Sequence, residues 1–315
     1  MLVYLLARLA ILVGTLIVAS IVVFGVIEVL PGNAAQTLLG ASATPEAVAA
    51  LAQRLGLDQP VAARYLHWIA GALSGDLGQS YAYQTPIAPL VASAFAVSAP
   101  LAALATTLAT AIALIAGLYA ASRRGRTGDA IVTGLSQFGM AAPSFWVAIL
   151  LVLLFSVHWR LAPAGGFPGW LDPWRALGAL VLPAIALALV QAAVLTRVVR
   201  SALIETLGED FIRTARAKGL TRRAILWRHA LPNALTPVLT ILGLQFANLI
   251  GGAIVVENVF VLPGLGRLIF QAISNRDSLV VADCAMLLAI VVIGVNFLVD
   301  VACAAIDPRW REARS

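Results

Sequence analysis

The chain is a succession of long uncharged apolar runs separated by shorter polar stretches. Its charges leave six windows of membrane-spanning length, at residues 9–27, 94–122, 130–157, 176–196, 230–256 and 284–299, the last extended by its apolar flanks. A spanning helix needs about 20 apolar residues. Because backbone polar groups in lipid must be paired internally, the spans must be helical. The pattern predicts an all-α, polytopic integral membrane protein with about six transmembrane helices.

Composition supports the same class. Hydrophobic residues make up 61% of the 315 residues and charged residues 11%, against about 45–50% and about 25% in an ordinary soluble domain. The first apolar run is longer than that of a secretory signal peptide, and Pro31-Gly32-Asn33 is a poor cleavage site. We therefore expect this run to remain as the first transmembrane helix.

The basic residues determine the predicted orientation. With the N-terminus inside, 15 of the 21 lysines and arginines lie on the cytoplasmic side, as the positive-inside rule requires. Both termini are therefore predicted to be cytoplasmic. Since topology accounts for the basic residues and no nucleic-acid motif is present, no nucleic-acid partner is predicted.

The spans predict four parts. These are a first transmembrane helix at 1–30, an external segment at 31–95, a five-helix core at 96–305 that includes a cytoplasmic segment at 201–233, and a cytoplasmic tail at 306–315.

The external segment is long for a simple connection and is predicted to be structured. Thr44-Pro45-Glu46 has the N-cap, the proline and the first-turn acid of a helix start, and Gly56 is a stop signal. A second helix is predicted after Asp58-Gln59-Pro60. Two roles remain open for this segment: a lid that joins two spans, or a docking surface for an external partner.

The cytoplasmic segment is strongly basic, with apolar residues interleaved. Its pattern predicts two short amphipathic helices broken at Gly219, which should have a positive φ, with Thr221 capping the second helix and Pro232 ending it. The segment could lie on anionic lipid or seat in a groove of a soluble partner, and the glycine break favours a partner. The buried contact with a partner is predicted to come from Phe211, Ile212 and Ala215, or from Ile225 and Leu226.

The run Phe-Ile-Arg-Thr-Ala-Arg-Ala-Lys-Gly at 211–219, followed by His-Ala-Leu-Pro-Asn at 229–233, resembles the cytoplasmic signature of binding-protein-dependent ABC importers. Ala215, Gly219, Leu231 and Pro232 keep the register of that signature. Its departures from the general form are similar to those of one branch, the dipeptide, oligopeptide and nickel permeases.

Other segments resemble the same branch in order and spacing. They are Leu-Pro-Gly-Asn at 30–33, where Asn33 replaces the usual aspartate, Leu-Gly-Leu-Asp-Gln-Pro at 55–60, Gly-Asp-Leu-Gly-Gln-Ser at 75–80, Ala-Pro-Ser-Phe-Trp at 142–146, Glu-Asn-Val-Phe at 257–260 and Leu-Pro-Gly-Leu-Gly-Arg-Leu at 262–268. The long external segment looks like that of the B-type permease of each pair.

The resemblance implies a type I ABC importer permease fold and a bacterial inner-membrane complex. Its partners would be a second related permease, two ATP-binding subunits that carry ATP and Mg, an external substrate-binding protein and membrane lipid. Coupling to an ATP-binding subunit would use Phe211, Arg213, Ala215, Arg216, Lys218, Gly219, Ile225, Leu226, Leu231 and Pro232. Candidates for the outer gate and path are Glu257, Phe260, Pro263, Gly264 and Gly266.

This chain itself shows no catalytic, cofactor or metal motif. No glycine-rich phosphate loop precedes Lys218, the only lysine. His67, His158 and His229 are scattered, and no serine, histidine and acid form a nucleophilic group. Of the acids near span ends, Glu28 and Asp300 have interface solvation as the simple explanation. A functional role is favoured for Glu257.

The leading hypothesis is a pore-forming, non-catalytic permease subunit that imports di- or oligopeptides with ATP hydrolysed by its partners. Nickel chelates or glutathione-like peptides are alternative cargoes in the same type of complex. A secondary carrier driven by an ion gradient is the alternative of another class, but such carriers tend to have internal repeats and charges at the midplane, and neither is visible.

Overall fold

The structure, a computed structural model, describes residues 2–29, 39–40, 43–54 and 56–306. The predicted motif at residues 30–33 and the tail beyond residue 306 lie outside the described residues. The predicted all-α fold is confirmed over the described ranges, where the only β pairing is one isolated bridge between Gln79 and Pro86.

The helices follow one another along the whole described chain. In order they are α1 Leu2–Val29, α2 Pro45–Arg54, α3 Val61–Ser74, α4 Ile87–Ser122, α5 Thr127–Ala141, α6 Ser144–His158, α7 Pro173–Thr206, α8 Asp210–Ala217, α9 Arg222–Val259, α10 Leu265–Ser274 and α11 Ser278–Ile306. The two helices predicted within residues 31–95 are confirmed as α2 and α3; their external location stays a prediction. Ala47 donates its backbone N–H to the Thr44 hydroxyl at the start of α2, and Gly56 follows the end of α2 with φ +68°.

Five helices, α1, α4, α7, α9 and α11, are long and apolar enough to cross a membrane, and α5 with α6 makes a sixth span if that bent pair is counted as one. The pair bends by 101° at Ala142 and Pro143. Proline has no backbone N–H and disfavours the helical conformation of the residue before it. Pro143 therefore breaks the third span, as its position in the sequence indicates.

The described residues divide into two compact units. Unit 1 contains the described residues up to Arg8, residues 99–262 and those from residue 294 onward. Within it, α7 packs against α5, α6 and α9. Alanine dominates its core, and a Cβ added to Gly117 would come within 2.6 Å of the Val199 side chain. Small residues let helix backbones approach closely, which stabilises helix pairs in lipid by dispersion contacts.

Unit 2 contains the described residues between 9 and 98 and residues 263–293. Its core combines the start of α4, one face of α10 and the start of α11, and includes Ile87, Val91, Leu265, Leu268, Ile269, Val280 and Cys284. The short helix α10 buries one face, with Leu265, Leu268, Ile269 and Ala272, whereas the apolar residues Phe270 and Ile273 are exposed.

The entry into α9 differs from the prediction that Pro232 ends a separate short helix. The helix begins at Arg222 and continues to Val259, with a π-helical stretch at Ile225–Ala230 just before Pro232. A π turn is wider than an α turn and accommodates the proline ring, which would otherwise clash with the carbonyl of the fourth residue before it. The Asn233 side chain donates to the His229 carbonyl at 2.6 Å.

Candidate functional site

We define the basic element as α8, the turn at residues 218–221 and the start of α9 as far as Pro232. It belongs to unit 1 and packs beside the end of α7. Ile212, Ala215 and Ile225 are at most 6% exposed and belong to the same core cluster as Val199 and Leu203 of α7. Ile212 and Ala215 are three residues apart on one face of α8, and Ile225 lies at the start of α9, so burial of these faces determines how the element is seated.

This burial corrects part of the predicted contact surface. Ile212, Ala215 and Ile225 contact the chain's own core, and side chains that are already buried there have no surface left for a partner. Leu226 and Leu231 are half-buried and Pro232 is exposed. The buried residues therefore anchor the element, and any partner must contact its exposed residues.

The turn at the centre of the element agrees with the prediction. Gly219 has φ +79° and the Thr221 hydroxyl accepts the backbone N–H of Ala224 at 3.3 Å, so the positive φ and the cap are both confirmed. The backbone of Leu220 also donates to the carbonyl of Ala215. Such a turn ends α8 with a left-handed residue, a conformation that glycine adopts at little cost.

The exposed face of the basic element is cationic with apolar patches. Arg213, Arg216 and Lys218 are exposed. The apolar residues Phe211, Leu220 and Trp227 are also exposed, at 43%, 39% and 57%. A cleft of about 420 Å³ is lined by Leu207, Arg216, Leu220, Arg222, Ile225 and Leu226. The exposure of Leu220 and Trp227, and the cleft itself, were not among the predictions.

Two polar contacts stabilise the surroundings of the element. Arg200 of α7 binds Asp129 of α5 through two hydrogen bonds of 2.5 and 2.8 Å, and the backbone of Gly125 donates to the same carboxylate. Arg222 donates to the backbone carbonyl of Ser122 at the end of α4. A bidentate arginine–carboxylate pair has a defined geometry, so α5 and α7 are held in one arrangement beside the basic element.

A polar cavity lies elsewhere in unit 1, at the break between α5 and α6. It has a volume of about 190 Å³ and is lined by Ser144, Leu187, Val190, Gln191, Val194, Gln245, Asn248, Leu249 and Gly252. Gln191 of α7 and Gln245 of α9 are hydrogen-bonded across it at 2.8 Å. None of these residues was predicted, because uncharged amides do not interrupt an apolar window and search rules for spans look for charges.

Glu257 is buried in the last turn of α9, with only 1% of the residue exposed. Phe260 and Leu262 are equally buried, and the backbone of Leu262 donates to the Glu257 carbonyl at 2.9 Å. The Phe260 carbonyl accepts the backbone N–H of Gly166 at 2.8 Å, and a Cβ on Gly165 would come within 2.5 Å of that oxygen. This burial does not support the explanation that Glu257 is an interface acid solvated by water.

The other two acids near span ends are ion-paired. Glu28 contacts Arg64 at 2.8 Å in unit 2, and Asp300 contacts Arg8 at 2.8 Å in unit 1. Simple solvation, the explanation given for both, is therefore incomplete, since each carboxylate has a cationic partner.

The remaining gate candidates lie in unit 2. Gly264 precedes α10 in an extended conformation, and both Gly264 and Gly266 are buried, whereas Pro263 is exposed. The backbone N–H of Leu265 donates to the Ser98 hydroxyl at 2.8 Å. This contact attaches the start of α10 to α4.

Helix α3 packs within unit 2 through aromatic and acidic residues. Trp68 donates its indole N–H to Asp283 at 2.7 Å and packs beside Phe24 and Tyr65. Asp277 accepts hydrogen bonds from the Ser80 hydroxyl and the Ala82 backbone.

In the turn that follows α3, Ser80 is buried and Tyr81 is half-buried, whereas residues 82–86 are exposed. Burial raises the pKa of Tyr81, and the carboxylates of Asp277 and Asp283 add to that shift. The hydrogen bonds from Ser80 and Ala82 to Asp277 thus attach this turn to the rest of unit 2. Over the described residues, no three histidine, cysteine or carboxylate side chains are placed to hold a metal ion.

Family comparisons agree with these features. Residues 113–312 match the family described as "Binding-protein-dependent transport system inner membrane component", and residues 1–114 match "Binding-prot-dependent transport system membrane comp, N-term". Two curated relatives are each named dipeptide transport system permease protein DppB. The one from Escherichia coli (strain K12) is 37% identical over 339 residues, covering 100% of both chains. The one from Alkalihalophilus pseudofirmus is 36% identical, covering 98% of this chain and 99% of the relative.

A solved structure shares the fold. The MetNI methionine ABC transporter in inward-facing conformations superposes with a TM-score of 0.55 at 20% identity, covering 69% of this chain and 96% of that chain. At this identity the likeness concerns the fold alone.

Proposed function

Because the chain belongs to the family of binding-protein-dependent transport system inner membrane components, we propose that it is the pore-forming permease subunit of an ABC importer for di- or oligopeptides. The observation that carries this proposal is whole-length similarity to dipeptide permeases, at 37% identity over the full length of both chains. The polar cavity of unit 1 supports a transport role, because a broken helix at membrane depth is tolerated where it lines a cavity.

The complex would contain this chain, a second related permease, two ATP-binding subunits and an external substrate-binding protein. ATP and Mg would bind to the ATP-binding subunits, and this chain would be non-catalytic. The basic element would face the cytoplasm, because it is rich in arginine and such segments lie on the cytoplasmic side of membrane proteins. The external helices α2 and α3 would help to receive the binding protein.

The basic element would be the coupling site to an ATP-binding subunit. Its arginines would orient an acidic partner surface, while exposed Phe211 and Trp227 would provide the apolar contact. Ile212, Ala215 and Ile225 would transmit the movement of the partner, because their burial attaches the element to α7 and α9. A shift between inward- and outward-open states follows only if the partner contacts the element differently in each state.

Residues of both units are candidates for the outer gate, each within its own unit. In unit 1, Glu257 and Phe260 would hold the end of α9. In unit 2, Pro263, Gly264 and Gly266 would set the start of α10. The burial of Glu257, Phe260, Gly264 and Gly266 supports this assignment, since packed residues must rearrange for such an end to open.

Transport by the reconstituted complex tests the function. Proteoliposomes containing the five components should accumulate labelled dialanine when ATP is supplied to the ATP-binding subunits, and should not without ATP. Uptake that follows an ion gradient in the absence of ATP would overturn the proposal in favour of a secondary carrier. Uptake of a nickel chelate or of glutathione, with no uptake of dipeptide, would keep the importer and replace its cargo.

A further inference from the structure

The proposed function gives the polar cavity of unit 1 a general part in transport but assigns no task to its side chains. We propose that Gln191, Gln245 and Asn248 form a contact site for the backbone amide groups of a peptide in transit. This inference rests on the proposed function and deepens it, because it identifies where in this chain the cargo is contacted and through which chemical groups.

The hydrogen bonds already present leave the amides with unused capacity. Gln191 donates to the Gln245 backbone carbonyl at 3.0 Å, Gln245 donates to the Gln191 side-chain oxygen at 2.8 Å, and Asn248 donates to the Gln245 side-chain oxygen at 2.9 Å. A primary amide has two N–H donors and an oxygen with two lone pairs. These three bonds use one N–H of each side chain. A second N–H of each remains for a ligand, together with the Asn248 oxygen.

The site lies deep within the helices. Gln191 is more than about 20 Å from either end of α7 at 1.5 Å of rise per residue, and half of the hydrocarbon core is about 15 Å thick. The break at Pro143 places Ser144 at the wall of the same cavity. A polar cavity and an interrupted helix thus coincide at a depth where lipid would tolerate neither alone.

The chemistry of the wall fits peptide cargo of varied sequence. No residue that lines the cavity is charged, and Leu187, Val190, Val194 and Leu249 supply apolar surface beside the amides. Side-chain amides can donate to a peptide carbonyl and accept from a peptide N–H, groups that every peptide has whatever its side chains. Neutral groups also avoid the strong binding of an ion that would slow release.

The alternative is that the amides only hold α7 against α9, as polar side chains do between membrane helices. Asn248 distinguishes the two explanations. It is exposed and its hydrogen bond is to Gln245 on its own helix, so it makes no direct bond between α7 and α9. A structural role would leave Asn248 dispensable, whereas a cargo contact would not.

The test compares two cargoes in the reconstituted complex. Dialanine and its ester analogue, in which an oxygen replaces the peptide N–H, are supplied at concentrations that saturate the binding protein, as checked by titration. Wild type should transport dialanine faster. In Asn248→Leu, which keeps the shape, the preference for dialanine should fall by about two- to tenfold, the effect of one lost hydrogen bond. The same binding protein is used with wild type and variant. Its own preference between the two cargoes therefore cancels when the two ratios of uptake rates are compared.

Matched variants make the result specific. Asn248→Gln retains a donor and an acceptor and should keep most of the preference, and Gln245→Met should reduce it. Asn296→Leu removes an amide of α11 that does not line the cavity, and should leave the ratio of the two cargoes at the wild-type value. If Asn248→Leu slows both cargoes by the same factor, or neither, the inference is overturned. Absence of dialanine uptake by wild type would instead refute the proposed function.

Discussion

Ion pairs and buried polar side chains determine several contacts that hydrophobic patterning does not reveal. The Asp129 side chain is 7% exposed and the Arg200 side chain 26% exposed where they form their bidentate pair. By contrast, Asp210 and Arg213 form a pair on α8 in which both side chains are largely exposed. The two pairs have similar distances but different surroundings, and the surroundings decide what each contributes.

Replacing Asp129 with asparagine should destabilise the protein. The change removes the charge that Arg200 binds while keeping the size of the side chain, and hydrogen bonds to charged groups contribute about 1.5–3 kcal/mol each. We expect a lower thermal unfolding temperature in detergent for Asp129→Asn. Asp210→Asn is the matched control and should unfold almost as wild type does, because an exposed pair contributes little. Equal stability of Asp129→Asn and wild type would show that the buried pair is not stabilising.

Transport should depend on Glu257. Glu257→Gln keeps the shape of a fully buried side chain and replaces its carboxyl group with a neutral amide, so any contact that requires a carboxylate would be lost. We expect the uptake rate of the assembled complex to fall by about tenfold, the equivalent of one hydrogen bond to a charged group. Glu46→Gln, at an exposed acid of α2, should have little effect. Unchanged uptake by Glu257→Gln would return this residue to a purely structural role.

At the residue scale, prediction from the sequence was limited by contacts between distant residues. Arg200 was assigned only to topology, and its partner Asp129 is 71 residues away. Likewise, Gln191 and Gln245 are 54 residues apart in an otherwise apolar pattern. A hydrophobic window reports how a segment partitions into lipid, but it carries no information about which polar side chains face each other inside the protein.

At the scale of elements, the sequence predicts helix caps and turns, but it does not predict that α9 runs on without a break at Pro232. The cap at Thr44, the stop at Gly56 and the turn at Gly219 depend on a few adjacent residues, and all three are confirmed. The start of α9 depends on a π-helical stretch that accommodates Pro232. Proline alone predicts a helix end, whereas packing of Ile225 and Ala230 into the core keeps this helix continuous.

Gly219 should be required for coupling. Nothing lies within 4 Å of a Cβ placed there, so a valine would fit in space but not in conformation, because the φ of +79° is unfavourable for a β-branched residue. The left-handed conformation costs about 1–2 kcal/mol for an ordinary residue. Gly219→Val should therefore distort the basic element and leave ATP hydrolysis unresponsive to the loaded binding protein.

The measurement is stimulation of ATP hydrolysis in proteoliposomes, together with pull-down of the ATP-binding subunits. Gly219→Asn is the matched control, since asparagine tolerates a positive φ better than other residues with a side chain, and it should retain most of the stimulation. Full assembly and full stimulation in Gly219→Val would indicate that the basic element merely rests on lipid.

At the scale of the whole molecule, the number of spans depends on how the broken pair is counted. Composition predicts about six windows, and the structure has five long apolar helices plus α5 and α6. Sequence patterning found both halves of the broken span because each half is apolar, but it cannot determine whether the pair crosses the membrane or turns back. The parity of the spans decides on which side the two ends of the chain lie.

The topology prediction follows from that parity. If α5 and α6 together cross once, the chain has six spans, both termini are cytoplasmic, and the connection between α6 and α7 is external. A reporter fused at Ala164, in that connection, and one fused at Ser315 should then report opposite sides of the membrane. If the chain crossed the membrane only five times, its two termini would lie on opposite sides. The distribution of arginines and lysines supports six spans, because 15 of the 21 then lie on the cytoplasmic side. A fusion after Arg124 is decisive, because only α5 and α6 separate it from Ala164. It should report the same side as Ser315. If it instead agrees with Ala164, and both report the side opposite to Ser315, α5 and α6 form a re-entrant pair.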